Sequence, residues 1–84
     1  VEVLPGASAD ATVIEVRAHD TAGLLYRLVS AIAECRAVVR SAVVGTLGAE
    51  AVDVFYLVDS HGKQLPEDTV DGLVTTIYAT LASA

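Results

Sequence analysis

The sequence predicts a two-layer α+β sandwich of the ferredoxin-like class, with two helices on one face of a four-stranded antiparallel-type sheet. Two segments carry an apolar stripe at helical spacing, and the segments between them have β character. The predicted order is strand, strand, helix, strand, strand, helix. Because 84 residues bury only about 60–65% of the unfolded surface, one thin core shared by both layers is expected.

The predicted strands are short runs that are rich in β-branched residues or alternate apolar with polar positions. In the clearest run, 12–18, Ile14 and Val16 alternate with Glu15 and Arg17. The other strands are predicted at 1–4, 38–47 and 51–58. Residues 47–50 join the last two, and this connection is short enough for a β-hairpin.

The two predicted helices are amphipathic. The first follows residues 20–23, and its stripe consists of Leu24, Leu25, Leu28, Val29 and Ile32. The second opens at 65–68 with Pro66 at the first helical position and acidic residues near the positive end of the helix dipole. Its stripe consists of Val70, Leu73, Val74, Ile77, Tyr78 and Leu81.

The strand order predicts a permuted topology. The right-handed crossover rule makes the strands that flank the first helix parallel to each other. In the best-known version of this fold, a strand after the second helix pairs antiparallel to the first strand of the unit. Here we expect segment 1–4 to fill that edge, which gives a permuted ββαββα arrangement with the N-terminal strand in place of the last one.

Composition excludes several classes of partner. The net charge of −6 makes nucleic acids and anionic membrane surfaces poor partners. The apolar runs are far shorter than the ~20 residues that span a bilayer, and no secretory leader is recognisable. The single cysteine fits a reducing cytoplasm. The absence of Met suggests a piece of a larger protein, and the 54% hydrophobic content suggests a surface that faces a partner.

The turn at residues 20–25 is the candidate ligand site. Its members are Asp20, Thr21, Ala22, Gly23, Leu24 and Leu25. Asp20 is expected to cap the helix or to precede the cap, and Gly23 permits a sharp turn. Free N–H groups at the helix start attract a carboxylate, so an amino acid would place its α-carboxylate there and its α-ammonium at Asp20. An ordinary capped turn between a strand and a helix explains the same residues.

No catalytic or metal-binding residues are predicted. His19 and His61 lack the spacing of metal ligands, and no Ser-His-Asp or Cys-His arrangement can be assembled. Cys35 is expected to be a small buried or half-buried side chain. Asp53 is unusual inside an apolar strand, and we expect it to bond to a neighbouring backbone group or to face a partner domain.

Two stretches carry a resemblance to a known family. Residues 16–25 resemble the signature of ACT domains, in which a strand runs into Asp-Arg-Pro-Gly-Leu-Leu. Residues 41–59 are similar to the hairpin of the C-terminal ACT domain in bifunctional uridylyltransferase/uridylyl-removing enzymes, most specifically at 46–48 and 53–56. Residues 1–8 fit the preceding strand. The resemblance therefore covers nearly the whole chain and implies a single ACT domain over 1–84.

This resemblance implies a regulatory role. Enzymes of that family transfer UMP to the PII signal protein, and a separate metal-dependent hydrolase domain removes it; they are expected to use Mg²⁺ and UTP or ATP. Their C-terminal ACT pair senses glutamine and selects between the two activities. The resemblance thus implies a cytoplasmic glutamine-sensing domain in nitrogen regulation, with no catalysis and no cofactor of its own. The implied partners are a second ACT domain or a homodimer partner, and PII through the parent protein.

The family's usual Arg and Pro are replaced by Thr21 and Ala22. Without Pro the entry to the turn loses a preset backbone angle, and without Arg the site loses a charge. Two alternatives follow: a structural or dimerisation ACT module that binds no ligand, and an ACT regulatory domain of an amino-acid biosynthetic enzyme.

Overall fold

Six elements follow one another in the predicted order. They are β1 (Glu2–Val3), β2 (Thr12–His19), α1 (Leu24–Glu34), β3 (Val38–Leu47), β4 (Glu50–Val58) and α2 (Glu67–Ala82). These bounds come from a computed structural model that describes residues 1–83. Ala84, the last residue of the predicted domain, lies outside the described residues.

The four strands form one sheet in the order β1-β2-β4-β3, and every neighbouring pair is antiparallel. Because β2 and β3 both run antiparallel to β4, they are parallel to each other and one strand apart, as the crossover through α1 requires. The predicted ferredoxin-like α+β class is confirmed, and the strand order is consistent with an ACT-like fold.

The permuted edge is also confirmed. β1 pairs antiparallel with β2, with Glu2 opposite Glu15 and Val3 opposite Ile14. The Leu4 N–H donates a further hydrogen bond of 2.9 Å to the Val13 carbonyl. The N-terminal strand therefore occupies the edge beside β2, although it has two residues rather than the four predicted.

One face of the sheet packs against both helices. Ile14 and Val16 lie two residues apart in β2, as Phe55 and Leu57 do in β4, and Ile14 pairs directly with Phe55, so all four point to the same side. There they join a single buried cluster with the helical residues Leu24, Leu28 and Ile32 of α1 and Leu73 and Ile77 of α2. Each fully buried large aliphatic or aromatic side chain stabilises the fold by about 1.5–3 kcal/mol.

The predicted helical stripes are only partly buried. In α1 the inward residues are Leu24, Leu28, Ala31 and Ile32. Leu25 and Val29 are 43% and 40% exposed, because they lie on the flank near β3 and no further strand follows β3 in the sheet. Tyr78 of α2 is 52% exposed as well. The placement of these three residues in a buried stripe was wrong.

The second helix begins one residue later than predicted. Pro66, with φ −59°, occupies the N-cap position, and Glu67 is the first helical residue. Glu67 and Asp68 do lie in the first turn, where their charges face the positive end of the helix dipole.

The β3–β4 hairpin closes with two residues. Leu47 pairs with Glu50, which leaves Gly48 and Ala49 as the loop. Gly48 has a φ of +65°, whereas Ala49 has no positive φ. A glycine with positive φ at the first loop position is typical of a type II′ turn, whose twist matches that of the strands. The Asp20 N–H donates a hydrogen bond of 3.0 Å to the Ala49 carbonyl, so the hairpin tip is held against the loop before α1.

Candidate functional site

The loop that leads into α1 closes through its backbone rather than through Asp20. Gly23 is the N-cap residue, with a left-handed φ of 78°, and no side chain caps the helix. The Leu24 N–H donates to the Thr21 carbonyl and the Arg27 N–H to the Gly23 carbonyl. The predicted capping role of Asp20 is therefore wrong, because a glycine in the left-handed conformation lets the chain enter the helix without a side-chain acceptor.

The first turn of α1 retains free donors. Among residues 1–83, the backbone N–H groups of Leu25 and Tyr26 have no hydrogen-bond acceptor. Both groups belong to the end of the helix that carries the positive pole of its dipole. Free N–H donors of the kind predicted from the sequence are thus present at this position, and donors of this kind attract anions.

A cavity of about 190 Å³ lies between this loop and the β3–β4 hairpin. From the predicted site it is lined by Asp20, Thr21, Gly23, Leu24 and Leu25, while Ala22 is exposed and does not line it. The other lining residues are Tyr26 of α1, Val44, Gly45 and Thr46 of β3, and Ala51 and Asp53 of β4. The predicted loop therefore forms one wall, and the hairpin forms a second wall that the sequence did not reveal.

Asp53 is the most unusual residue of this cavity. Its side chain belongs to the helix-covered face of β4 and is only 2% exposed. Its Oδ1 atom has no hydrogen-bond partner among the described residues. The backbone hydrogen bond expected for this residue is therefore not formed at Oδ1, and a buried carboxylate oxygen is left facing the cavity region without a donor.

The surroundings of Asp53 disfavour its charged form. Its direct neighbours in the sheet are Val16 of β2 and Val44 of β3, which offer no donor side chain. Burial raises the pKa of Asp53 above its ordinary value, and the negative charge of Asp20 raises it further. The sequence did carry a signal for this residue, because Asp53 shares the inward parity of Ala51 and Phe55 in an otherwise apolar strand.

The remaining residues considered from sequence lie away from this cavity. His19 and His61 are exposed, and Cys35 is half-buried at the C-cap of α1. Within residues 1–83, no cluster of three or more His, Cys, Asp or Glu side chains is placed to hold a metal ion. No helix in the described part of the chain has the length and hydrophobicity to cross a membrane.

Larger depressions elsewhere on the described surface have linings whose charged groups are all exposed. One of about 300 Å³ lies between the 3–13 segment and residues 64–70, and its only charged lining residue is the exposed Glu67. Another of about 580 Å³ is lined by the exposed side chains of Asp10, Arg40 and Lys63. The cavity of about 190 Å³ is the candidate site, because it combines free helix donors with a buried carboxylate.

Sequence comparison identifies relatives of this chain. It is 56% identical over 68 residues to the bifunctional uridylyltransferase/uridylyl-removing enzyme of Streptomyces coelicolor, a match that covers 81% of this chain and 8% of the relative. It is 46% identical over 57 residues to the enzyme of the same name from Novosphingobium aromaticivorans, covering 68% of this chain and 6% of the relative. The Photobacterium profundum enzyme is 37% identical over 68 residues, covering 81% and 8%.

No protein-family model matches the sequence. The chain spans less than a tenth of the length of the curated relatives that it matches. The matches nevertheless extend over most of the described domain, with identities of 56%, 46% and 37%. This chain is therefore a homologue of a domain-sized segment of the bifunctional uridylyltransferase/uridylyl-removing enzymes.

Proposed function

We propose that this chain is a regulatory domain that binds an amino acid, glutamine, and controls a PII uridylyltransferase/uridylyl-removing enzyme. Its relatives are named bifunctional uridylyltransferase/uridylyl-removing enzymes, and the resemblance to the ACT domains of such enzymes implies PII as the target and glutamine as the signal. In this proposal the chain catalyses nothing itself and acts in the nitrogen regulation of the cytoplasm.

The observation that carries the proposal is the composition of the cavity. Free N–H groups at the start of α1 are suited to an α-carboxylate, while Asp20 and Asp53 are suited to an α-ammonium. The cavity of about 190 Å³ is smaller than the ~300–1,000 Å³ typical of sites for drug-sized ligands, which favours a ligand of amino-acid size.

The catalytic functions belong to other parts of the longer protein in this proposal. Mg²⁺ and UTP or ATP would serve those parts, and PII would bind there as well. The ligand would act on them by changing how this domain packs against its neighbours. The hydrogen bond from Asp20 to Ala49 supports this, because it connects the ligand loop directly to the tip of the β3–β4 hairpin.

A second domain of the same kind, or a second copy of this chain, is the proposed packing partner. β3 is an edge strand of ten residues, so its outer backbone groups are unpaired within the sheet. Its large apolar side chains are exposed: Val38, Val43, Val44 and Leu47. Strand addition along this edge would cover them together with Leu25 and Val29 of α1.

Calorimetric titration with each of the twenty amino acids tests the proposed ligand. We expect heat of binding for glutamine and a weaker signal or none for the others. The Asp10→Asn variant is a suitable control, because it removes one negative charge at an exposed position remote from the cavity. Absence of glutamine binding, with the control and the wild type both folded, would contradict the proposal.

The exposed edge of β3 also supports a second candidate function, a structural module that packs against a twin without binding a ligand. Sedimentation velocity distinguishes the two functions. A stable dimer whose mass and affinity are the same with and without glutamine would favour the structural module. The third possibility, a domain of an amino-acid biosynthetic enzyme, has less support because the relatives described above are uridylyltransferases.

A further inference from the structure

The unpartnered carboxylate of Asp53 requires an explanation. The side chain is 2% exposed, and its Oδ1 receives no hydrogen bond from residues 1–83. Leaving a buried polar atom unsatisfied destabilises a protein, and an ionised group costs more than a neutral one. A group of this kind in the wall of a cavity is explained if its partner comes from outside the chain.

The chemistry of the cavity restricts what that partner is. An ionised carboxylate only accepts hydrogen bonds, so the partner must be a donor. None of the described residues that line the cavity is Lys or Arg, and Asp20 adds a second negative charge on the same side. A positively charged donor fits these two carboxylates, and the free N–H groups of Leu25 and Tyr26 suit a carboxylate in the same molecule.

We propose that Asp53, rather than Asp20 alone, is the residue that binds the ammonium group of an α-amino acid and makes the site selective for zwitterions. This inference rests on the proposed function. Asp53 is suited to the role because a charge–charge hydrogen bond is stronger in a buried position than at the exposed Asp20.

Ammonium binding at Asp53 is coupled to proton release. Without ligand, burial and the charge of Asp20 raise the pKa of Asp53, so its carboxyl keeps its proton to a higher pH than an ordinary aspartate does. The groups around it are Asp20 from the loop, Val16 and Val44 from β2 and β3, and Tyr26 of α1, which lines the same cavity. An ammonium group binds only the ionised carboxylate, so the apparent affinity rises with pH until unliganded Asp53 is fully ionised.

The experiment compares the 84-residue chain with its Asp53→Asn, Asp20→Asn and Asp10→Asn variants. Asn preserves the size of the side chain, and circular dichroism verifies the fold of each variant. The probes are glutamine and its analogue without the α-ammonium, 4-carbamoylbutanoate, followed by the other nineteen amino acids. Titrations in two buffers of different ionisation enthalpy count the protons released.

We expect Asp53→Asn to weaken glutamine binding by about 10- to 100-fold, the usual effect of losing a hydrogen bond to a charged group. Asp20→Asn should weaken it by less than about 5-fold, since exposed charge pairs contribute little. Binding of 4-carbamoylbutanoate should be weak in the wild type and no weaker in Asp53→Asn. Proton release should occur in the wild type and the Asp10→Asn control and disappear in Asp53→Asn.

The outcomes separate this inference from the proposed function. If glutamine binds equally well to the wild type and to Asp53→Asn, the inference is wrong and the proposed function stands. If glutamine fails but another amino acid binds with the expected dependence on Asp53, the inference stands and the proposed ligand is wrong. If no amino acid binds the folded chain, both are overturned.

Discussion

Asp53 and Asp20 line the same cavity from different elements, and the negative charge of Asp20 adds to burial in raising the pKa of Asp53. One carboxylate is buried in β4 and the other is exposed in the loop before α1. Two like charges near each other without a cation destabilise the unliganded domain. This relationship has a measurable effect on stability.

Asp53→Asn is expected to increase the free energy of unfolding at about pH 7.5 by about 1–3 kcal/mol, because the neutral amide removes an unpaired charge from this buried position. Because the pKa of Asp53 is raised in the folded state above its ordinary 3.8, the folded chain binds more protons over that interval. The wild type therefore loses stability as the pH rises from 3.8 through the folded pKa, and the advantage of the variant should shrink as the pH is lowered.

Urea denaturation at a series of pH values measures this difference. Asp10→Asn removes the same charge from an exposed position and should change stability by less than about 0.5 kcal/mol. A difference between Asp53→Asn and the wild type that does not vary with pH would contradict the prediction.

The contribution of Asp59 to the stability of the fold is expected to have the opposite pH dependence. Its Oδ1 accepts backbone hydrogen bonds from Lys63 at 3.0 Å and from His61 at 2.8 Å. The bond from Lys63 first, and then that from His61, lowers the pKa of Asp59 below its ordinary 3.8. The charged carboxylate thus stabilises the fold above pH 3.8, and this contribution is lost as the pH falls through the folded pKa.

Asp59→Ala should therefore lower the melting temperature most at neutral pH and progressively less below about pH 4. Asp59→Asn keeps an acceptor oxygen and should be affected less than Asp59→Ala. Thermal denaturation followed by circular dichroism checks both variants. Equal melting temperatures for the wild type and Asp59→Ala at neutral pH would show that this turn adds nothing to stability.

Gly48 and Gly72 are expected to respond oppositely to alanine. Gly48 has a φ of +65° in the hairpin loop, where a side chain costs about 1–2 kcal/mol. Gly72 lies inside α2, and a Cβ there would meet no atom within 4 Å. Gly72→Ala should therefore stabilise the domain by about 0.5–1 kcal/mol through helix propensity. Chemical denaturation of the two single variants measures the change in the free energy of unfolding. If both variants changed it in the same direction, the assignment of the turn or of the helix would be contradicted.

Arg27 connects the two helices. One of its terminal guanidinium nitrogens donates a hydrogen bond of 3.0 Å to the Thr80 carbonyl, near the negative end of the α2 dipole. Arg27→Met keeps the apolar stem and removes the donor, so we expect a loss of about 1–3 kcal/mol. Ser83→Ala, which removes only the longer 3.5 Å contact of Arg27 and an exposed hydroxyl, should cost less than about 0.5 kcal/mol. Urea denaturation of both variants tests the ranking.

Most of the fold is readable from local patterns. The alternation in β2, the two helical stripes and the short 47–50 connection specify the elements, and the crossover rule then leaves few topologies. The position of β1 at the edge beside β2 was predictable, whereas its length of two residues was not. The exposed positions of Leu25 and Val29 were not predictable, because they depend on β3 being the last strand of the sheet.

Only one wall of the candidate site, the 20–25 loop, was predictable from the sequence. The 20–25 turn predicted a helix start with free backbone donors, because Asp and Gly in that spacing are typical of turns before helices. The capping role of Asp20 failed because Gly23 supplies the helix entry. The meeting of Asp53 with this loop depends on the β2–β4 register, which places Asp53 opposite Val16, and on the hairpin closing at Gly48 and Ala49. Neither the β2–β4 register nor the position of the hairpin loop follows from local sequence.

The β2–β4 register also determines when the cavity comes into existence during folding. The β3–β4 hairpin is local and is of a kind that forms within about 1–10 μs. β2 must then pair with β4 across the intervening α1 and β3, and such non-local pairing is slow. We therefore expect the loop and the hairpin wall to meet late, and an amino acid bound as proposed should slow unfolding without accelerating the formation of the hairpin. The proposed ligand would therefore lengthen the lifetime of the folded domain rather than increase the rate at which the domain folds.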